Sequence, residues 1–209
     1  MDQNPVKNGS YPEFDRVVCD HVQLYESFAA VDKDMKQIGN GASFLTEFGV
    51  CAFNDPTHED PDYLNTFECD SILNMNDKYF TSWTYWDSNF YNDNLSKVNE
   101  KLVDAFSRVY PIATNGIPET LFFNATTKMF SYTYKIDVKD LNEASIRTEI
   151  FIPTHVYPNG FKVTLSDHLR SYFKDSVLSI ELSDSVKQDL NRRNKVLLIQ
   201  STVKLDPVY

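Results

Sequence analysis

The 209-residue chain has no run of eighteen apolar residues, so nothing in it reads as a membrane-spanning helix. Positive charge is scarce. Twenty Lys and Arg stand against 30 Asp and Glu, a net charge of −10, whereas nucleic-acid phosphates require a basic surface; no nucleic-acid partner is expected. An acidic surface loses charge as the pH falls, which suits an acidic compartment without demanding one. Only four histidines occur, His21, His58, His155 and His168, scattered without metal-ligand spacing, so neither a metal nor a cofactor is expected. Internal repeats and low-complexity tracts are absent. The opening Met1-Asp2-Gln3-Asn4-Pro5 is too polar for the apolar region of a signal peptide.

Cysteine is also rare, and Cys19, Cys51 and Cys69 make an odd number. In an oxidising compartment one of them lacks a partner within the chain. Two readings are open. The thiols are free and buried, as in a cytosolic protein, or a Cys51–Cys69 bridge staples the intervening loop, worth roughly 3 kcal/mol by loop entropy, with the partner of Cys19 upstream. Three Asn-x-Ser/Thr sequons, at Asn8, Asn94 and Asn124, favour glycosylation and a secreted or lysosomal protein, although such triplets also arise by chance.

What the chain does contain changes character halfway. Phe28, Val31, Met35 and Ile38 recur at helical spacing, and Gly39-Asn40-Gly41 supplies a left-handed stop. A strand over 42–50 follows, then a polar loop with Pro56 and Pro61, a helix over 63–79, an aromatic strand over 80–86 and a helix over 95–109 that Pro111 ends. Helix and strand alternating in this way indicate a parallel α/β sheet. Two strands cannot bury both faces of one, so this half is expected to be incomplete. After Pro111 the period becomes that of strands, over 119–124, 128–136, 145–152, 161–166, 176–182 and 195–204. The expectation is an antiparallel β-sandwich without helix, with domains at 1–110 and 111–209. Phe130, Tyr132 and Tyr134 alternate and should form one face of its core.

Glu47 closes an uncharged run, Ala42 to Thr46, that reads as a buried parallel strand. A carboxylate there is costly unless it is paired or working, and in α/β barrels that strand end is where chemistry sits. A plain salt bridge or loop cap is the alternative. Trp83, Tyr85 and Trp86 put three rings into four residues; Trp83 and Tyr85 should share one face and Trp86 the other. Such rings fit a sugar or lipid, or simply fill a core. Asp87 bonds a sugar hydroxyl or caps the turn. The acidic loop 55–62 lacks the spacing of a calcium loop, and Lys187, Arg192, Arg193 and Lys195 read as a charged turn or as a contact with anionic lipid.

The runs Gly41-Ala42-Ser43-Phe44-Leu45-Thr46-Glu47-Phe48-Gly49-Val50-Cys51, Ser82-Trp83-Thr84-Tyr85-Trp86-Asp87 and Phe106-Ser107-Arg108-Val109-Tyr110-Pro111 resemble the endoglycoceramidases of glycoside hydrolase family 5. Arg147-Thr148-Glu149-Ile150-Phe151-Ile152-Pro153 and Tyr157-Pro158-Asn159-Gly160 resemble their C-terminal domain. The resemblance implies a TIM (β/α)8 barrel followed by a β-sandwich, and retaining cleavage of the bond between oligosaccharide and ceramide. Two carboxylates about 5 Å apart do that chemistry, one attacking the anomeric carbon, the other protonating the leaving oxygen. The nucleophile of the family ends strand seven, which matches Glu47, and its strand-eight Trp best matches Trp83, with Tyr85, Trp86 and Asp87 as further substrate-binding candidates. The acid/base belongs to an Asn-Glu-Pro motif on strand four, which this chain lacks. Strands one to six are therefore expected upstream of Met1, and the chain alone is expected to be inactive, since general acid/base help is typically worth 10²- to 10⁴-fold. The partner implied is a glycolipid, with peripheral contact to a membrane or micelle surface. The competing class is a non-catalytic glycan- or lipid-binding module, or a dead paralogue.

Overall fold

The computed structural model describes residues 22–39, 41–49, 51–54, 64–86, 90–91, 97–137, 147–193 and 198–209, with Val18 and Glu59. It is a mixed α/β structure whose chain divides into two compact units, Met1–Phe106 and Ser107–Tyr209.

In the first unit, helix α1 (Leu24–Gln37) carries Glu26 in its first turn and Lys36 in its last, where each suits the helix dipole. It stops at Gly39, whose φ of +106° only glycine adopts freely. Strand β1 (Phe44–Phe48) follows. A two-residue ladder then pairs β2 (Phe53–Asn54) with β3 (Leu64–Asn65). That pairing holds Leu64 and Asn65 extended, so helix α2 (Phe67–Tyr79) starts later than residue 63. Strand β4 (Ser82–Tyr85) lies parallel to β1, with Phe44 opposite Ser82 and Leu45 opposite Trp83. Helix α3 (Glu100–Phe106) is shorter than periodicity predicts, because Val98 bridges Tyr91 and Asn99 N–H donates to Phe90 O at 2.7 Å. The core of this unit is small: Phe48, Cys51, Cys69, Leu73, Leu102 and Ala105 are buried, with Leu45, Ile72, Trp83, Tyr85, Phe90 and Phe106 packed around them. Cys51 and Cys69 are joined by a disulfide, which ties the segment after β1 to the first turn of α2.

The second unit is built from two four-stranded antiparallel sheets. One has the order β10 (Leu169–Lys174), β11 (Val177–Leu182), β8 (Thr148–Phe151), β5 (Tyr110–Ala113). The other runs β6 (Ile117–Phe123), β7 (Phe130–Asp137), β12 (Leu198–Pro207), β9 (Phe161–Leu165). Period-2 alternation turns Phe130, Tyr132, Tyr134, Ile136, Val203 and Leu205 inward against Ile150, Leu178, Ile180 and Leu182. The unit starts a few residues ahead of Pro111, because Val109 already sits in this core and Arg108 donates to Phe123 O at 3.2 Å.

Two expectations need correction. The sandwich has β5 and β10 beyond the six strands read from sequence, and it carries a helix, α4 (Asp184–Arg193). Pro111, expected to mark the end of a helix, lies instead within β5, an edge strand, where a missing N–H costs nothing. The helix was hidden by its polarity. Lys187, read as part of a charged turn, pairs from α4 with Glu181 of β11 at 3.0 Å, and Glu181 also holds Arg170 at 2.8 Å.

The buried tyrosines are satisfied. Tyr132 and Thr114 share a hydroxyl hydrogen bond of 2.6 Å, and burial pushes the Tyr132 phenol up to about 12. His168, half-buried, bonds through Nε2 to the fully buried Ser201 at 2.9 Å. Burial lowers its pKa, against a smaller opposing pull from Asp167. A histidine held low favours the neutral folded form, so stability is whole at neutral pH and falls as the pH drops below about 6.5, where the unfolded imidazole charges first. Melting curves between pH 8 and pH 5 should show a steeper loss for the wild type than for His168→Gln. Identical pH profiles would remove His168 from this linkage.

Candidate active site at the ends of two parallel strands

Helices α2 and α3 cover one face of the β1–β4 pair and fix which side chains are buried. Phe48 meets Trp83, Tyr85 and Phe106 at ring-centroid distances of 5.7, 5.4 and 6.1 Å, and Tyr85 meets Phe106 at 4.6 Å. Trp83 and Tyr85 do share one face, but it is the packed face. Trp83, the ring expected under a sugar, is half-buried there, its indole in contact with Phe48 and with Phe106, the latter at 5.6 Å. The ring left open is Trp86, which is 65% exposed just beyond the end of β4.

Glu47 is exposed near the end of β1. Among the described residues its carboxylate has neither an ion pair nor a hydrogen bond, so the salt-bridged strand end that a lone carboxylate suggests is not what these residues build. Its strand is closely joined to that of Trp86. The Trp86 N–H donates to Phe48 O at 2.8 Å, and the Thr84 hydroxyl donates to Thr46 O. Gly49 allows this approach, because a Cβ there would lie 2.0 Å from the Trp86 carbonyl oxygen. Thr84 and Gly49 were not singled out from sequence. A glycine directly after an apolar strand was the available signal for a close backbone approach.

The remaining candidates divide between placed and unplaced. Asn124 lies at an exposed turn, where its Oδ1 accepts the N–H groups of Thr126 at 3.0 Å and Thr127 at 2.8 Å. Asn8, Asn94, Cys19 and Asp87 lie outside the described residues, as does the acidic loop 55–62 apart from Glu59. A cavity of about 70 Å³ lined by Phe28, Asp32, Met35, Ser43, Tyr79 and Thr81 lies toward the opposite, N-terminal end of the strands.

An exposed carboxylate and an exposed indole thus lie at the C-terminal ends of adjacent parallel strands. Residues 108–192 match the glycoside hydrolase family 5 C-terminal domain. The matched stretch lies within the second unit. No curated protein matches the sequence. Among solved structures, the fold resembles endo-glycoceramidase II from Rhodococcus sp., captured as a lactosyl-enzyme intermediate, at a TM-score of 0.60 and 18% identity over 95% of this chain and 40% of that one. The same enzyme in a ganglioside GM3 complex gives 0.62, 18%, 95% and 39%. Sterylglucosidase 1 from Cryptococcus neoformans gives 0.69 at 17% identity, over 90% of this chain and 31% of that one. The chain thus spans well under half the length of these glycosidases, and the likeness is one of fold.

Proposed function

We propose that this chain is the C-terminal part of a retaining glycoside hydrolase that cleaves a glycolipid between its sugar and its lipid. In this reading β1 and β4 are strands seven and eight of a TIM barrel, Glu47 is the nucleophile and Trp86, rather than Trp83, is the ring beneath the sugar. The observation that carries it is the placing of an exposed carboxylate, unpartnered among the described residues, and an exposed tryptophan at the C-terminal ends of two parallel strands, the catalytic end of such barrels. The lactosyl-enzyme intermediate of the Rhodococcus enzyme supports a covalent, retaining route. The lipid aglycone is supported by the GM3 complex of that enzyme and by the sterylglucosidase. Ceramide is the aglycone that the sequence resemblance favours.

Retention requires a second carboxylate as acid/base, and the Asn-Glu-Pro motif that would hold it is not in these residues, so the chain alone is expected to be inactive. A secreted or lysosomal location fits the disulfide, which an oxidising compartment maintains. A substrate anchored by its lipid also implies contact with a membrane or micelle surface.

The test is to express the chain together with the barrel strands that precede it, and to incubate it with glucosyl- and oligosaccharyl-ceramides and with a steryl glucoside. Release of sugar from one of these, with first-formed product of unchanged anomeric configuration by NMR, is the expected result. Binding without turnover would leave a glycan- or lipid-binding module. Inverted product would remove Glu47 as a nucleophile.

A further inference from the structure

Leu45 pairs with Trp83 and Phe48 pairs with Tyr85, so β1 carries two residues, Thr46 and Glu47, where β4 carries only Thr84. The extra residue makes a β-bulge, and it changes which way Glu47 faces. Leu45 packs into the aromatic cluster. Strict alternation from there would turn Thr46 out, Glu47 into the cluster and Phe48 out. The observed pattern is different: Phe48 is buried among the rings, while Thr46 and Glu47 are both exposed. The bulge therefore does two things at once. It keeps an aromatic ring in the core and takes a carboxylate out of it.

A bulge interrupts the regular ladder, and here the Thr46 carbonyl is taken by the side-chain hydroxyl of Thr84. Beyond it, the backbone bond from Trp86 N–H to Phe48 O continues the strand pairing. We propose that Thr84 is a positioning residue, whose hydroxyl latches the bulge and so fixes the direction of the Glu47 carboxylate relative to Trp86. The proposal rests on the reading of Glu47 as nucleophile. Thr84 itself touches Thr46, not substrate. Its effect would come through geometry, to which attack on an anomeric carbon is sensitive: a displacement of about 1 Å is enough to cost on the order of 10²-fold in rate.

The test uses the extended protein with Thr84→Val, which keeps the shape and removes the donor, and Thr84→Ser, which keeps the donor. Thr84→Val should lower kcat by about 10- to 100-fold with KM changed by less than about threefold. It should equally slow labelling by a 2-deoxy-2-fluoro glycoside with a dinitrophenolate leaving group. In that reaction the Glu47 carboxylate forms a bond to C1 and dinitrophenolate departs with the electron pair, so no acid is needed. Thr84→Ser should restore both rates to within about threefold of wild type.

Wild-type kcat and labelling in Thr84→Val would overturn the latch, as would a Thr84→Ser variant as impaired as the Val one. If Thr84→Val does not fold by circular dichroism, Thr84→Ser and Thr84→Ala supply the same comparison, differing only in the hydroxyl; equal rates in that pair would overturn it. Glu47→Gln separates the two claims. Turnover surviving in Glu47→Gln removes the nucleophile and the latch with it, whereas a dead Glu47→Gln beside a normal Thr84→Val removes the latch alone.

Discussion

Replacing Glu47 by Gln in the extended protein should lower kcat by about 10⁴-fold or more, the scale of removing a nucleophile from a covalent mechanism, and should leave the melting temperature unchanged. Both halves follow from the same geometry. Glu47 is exposed at the end of β1 and, among the described residues, bonds to nothing, so its carboxylate supports no part of the fold. A surface substitution away from caps, cores and networks usually stays within about 0.5 kcal/mol. Gln keeps the size and polarity and removes only the negative charge that attacks C1. Steady-state rates beside a thermal melt decide the matter. More than a tenth of the wild-type rate in Glu47→Gln would sink the assignment, and a large loss of melting temperature would show that Glu47 has a structural partner.

The strand carrying Glu47 was legible because an uncharged run ended by a carboxylate is a local pattern. The face it presents was not. Alternation correctly put Trp83 and Tyr85 together, but which of the two faces is packed depends on Leu73, Leu102 and Phe106, which arrive from α2 and α3. The bulge at Thr46 and Glu47 then shifts parity by one, and parity cannot be read across a bulge from β1 alone. In the sandwich the buried strands were clear from strong alternation, as at Phe130, Tyr132 and Tyr134. The elements missed are peripheral. Strand β10 ends in the exposed residues Tyr172, Phe173 and Lys174 at a sheet edge. Strand β5 was masked by reading Pro111 as a break. Helix α4 packs against the core through Val186, and its place depends on charges, with Glu181 meeting Lys187 and Arg170 while Arg170 also meets Asp184 at 2.5 Å.

The second large effect concerns the units themselves: residues 107–209 should fold alone, with a cooperative melt within about 5 °C of the same transition in the whole chain, whereas residues 1–106 should not. The second unit contains its own core, with inward faces of two four-stranded sheets filled by residues from Val109 to Leu205. The first has, among its described residues, a two-stranded parallel sheet and a short ladder. Its buried cluster is a few side chains around Phe48 and Leu73. The disulfide between Cys51 and Cys69 adds roughly 3 kcal/mol by loop entropy, but a crosslink cannot cover a surface. Parallel sheets are stable where both faces are covered, and here Phe44 remains 56% exposed and Trp86 65% exposed on the face opposite the helices. In the described residues β1 and β4 pair only with each other, so each leaves one row of backbone groups free to recruit another chain. Isolated residues 1–106 should therefore self-associate or be digested rapidly. Size-exclusion chromatography, thermal circular dichroism and limited proteolysis of the two pieces read this out directly; a monomeric, cooperatively melting first unit beside an insoluble or protease-sensitive second one would refute it.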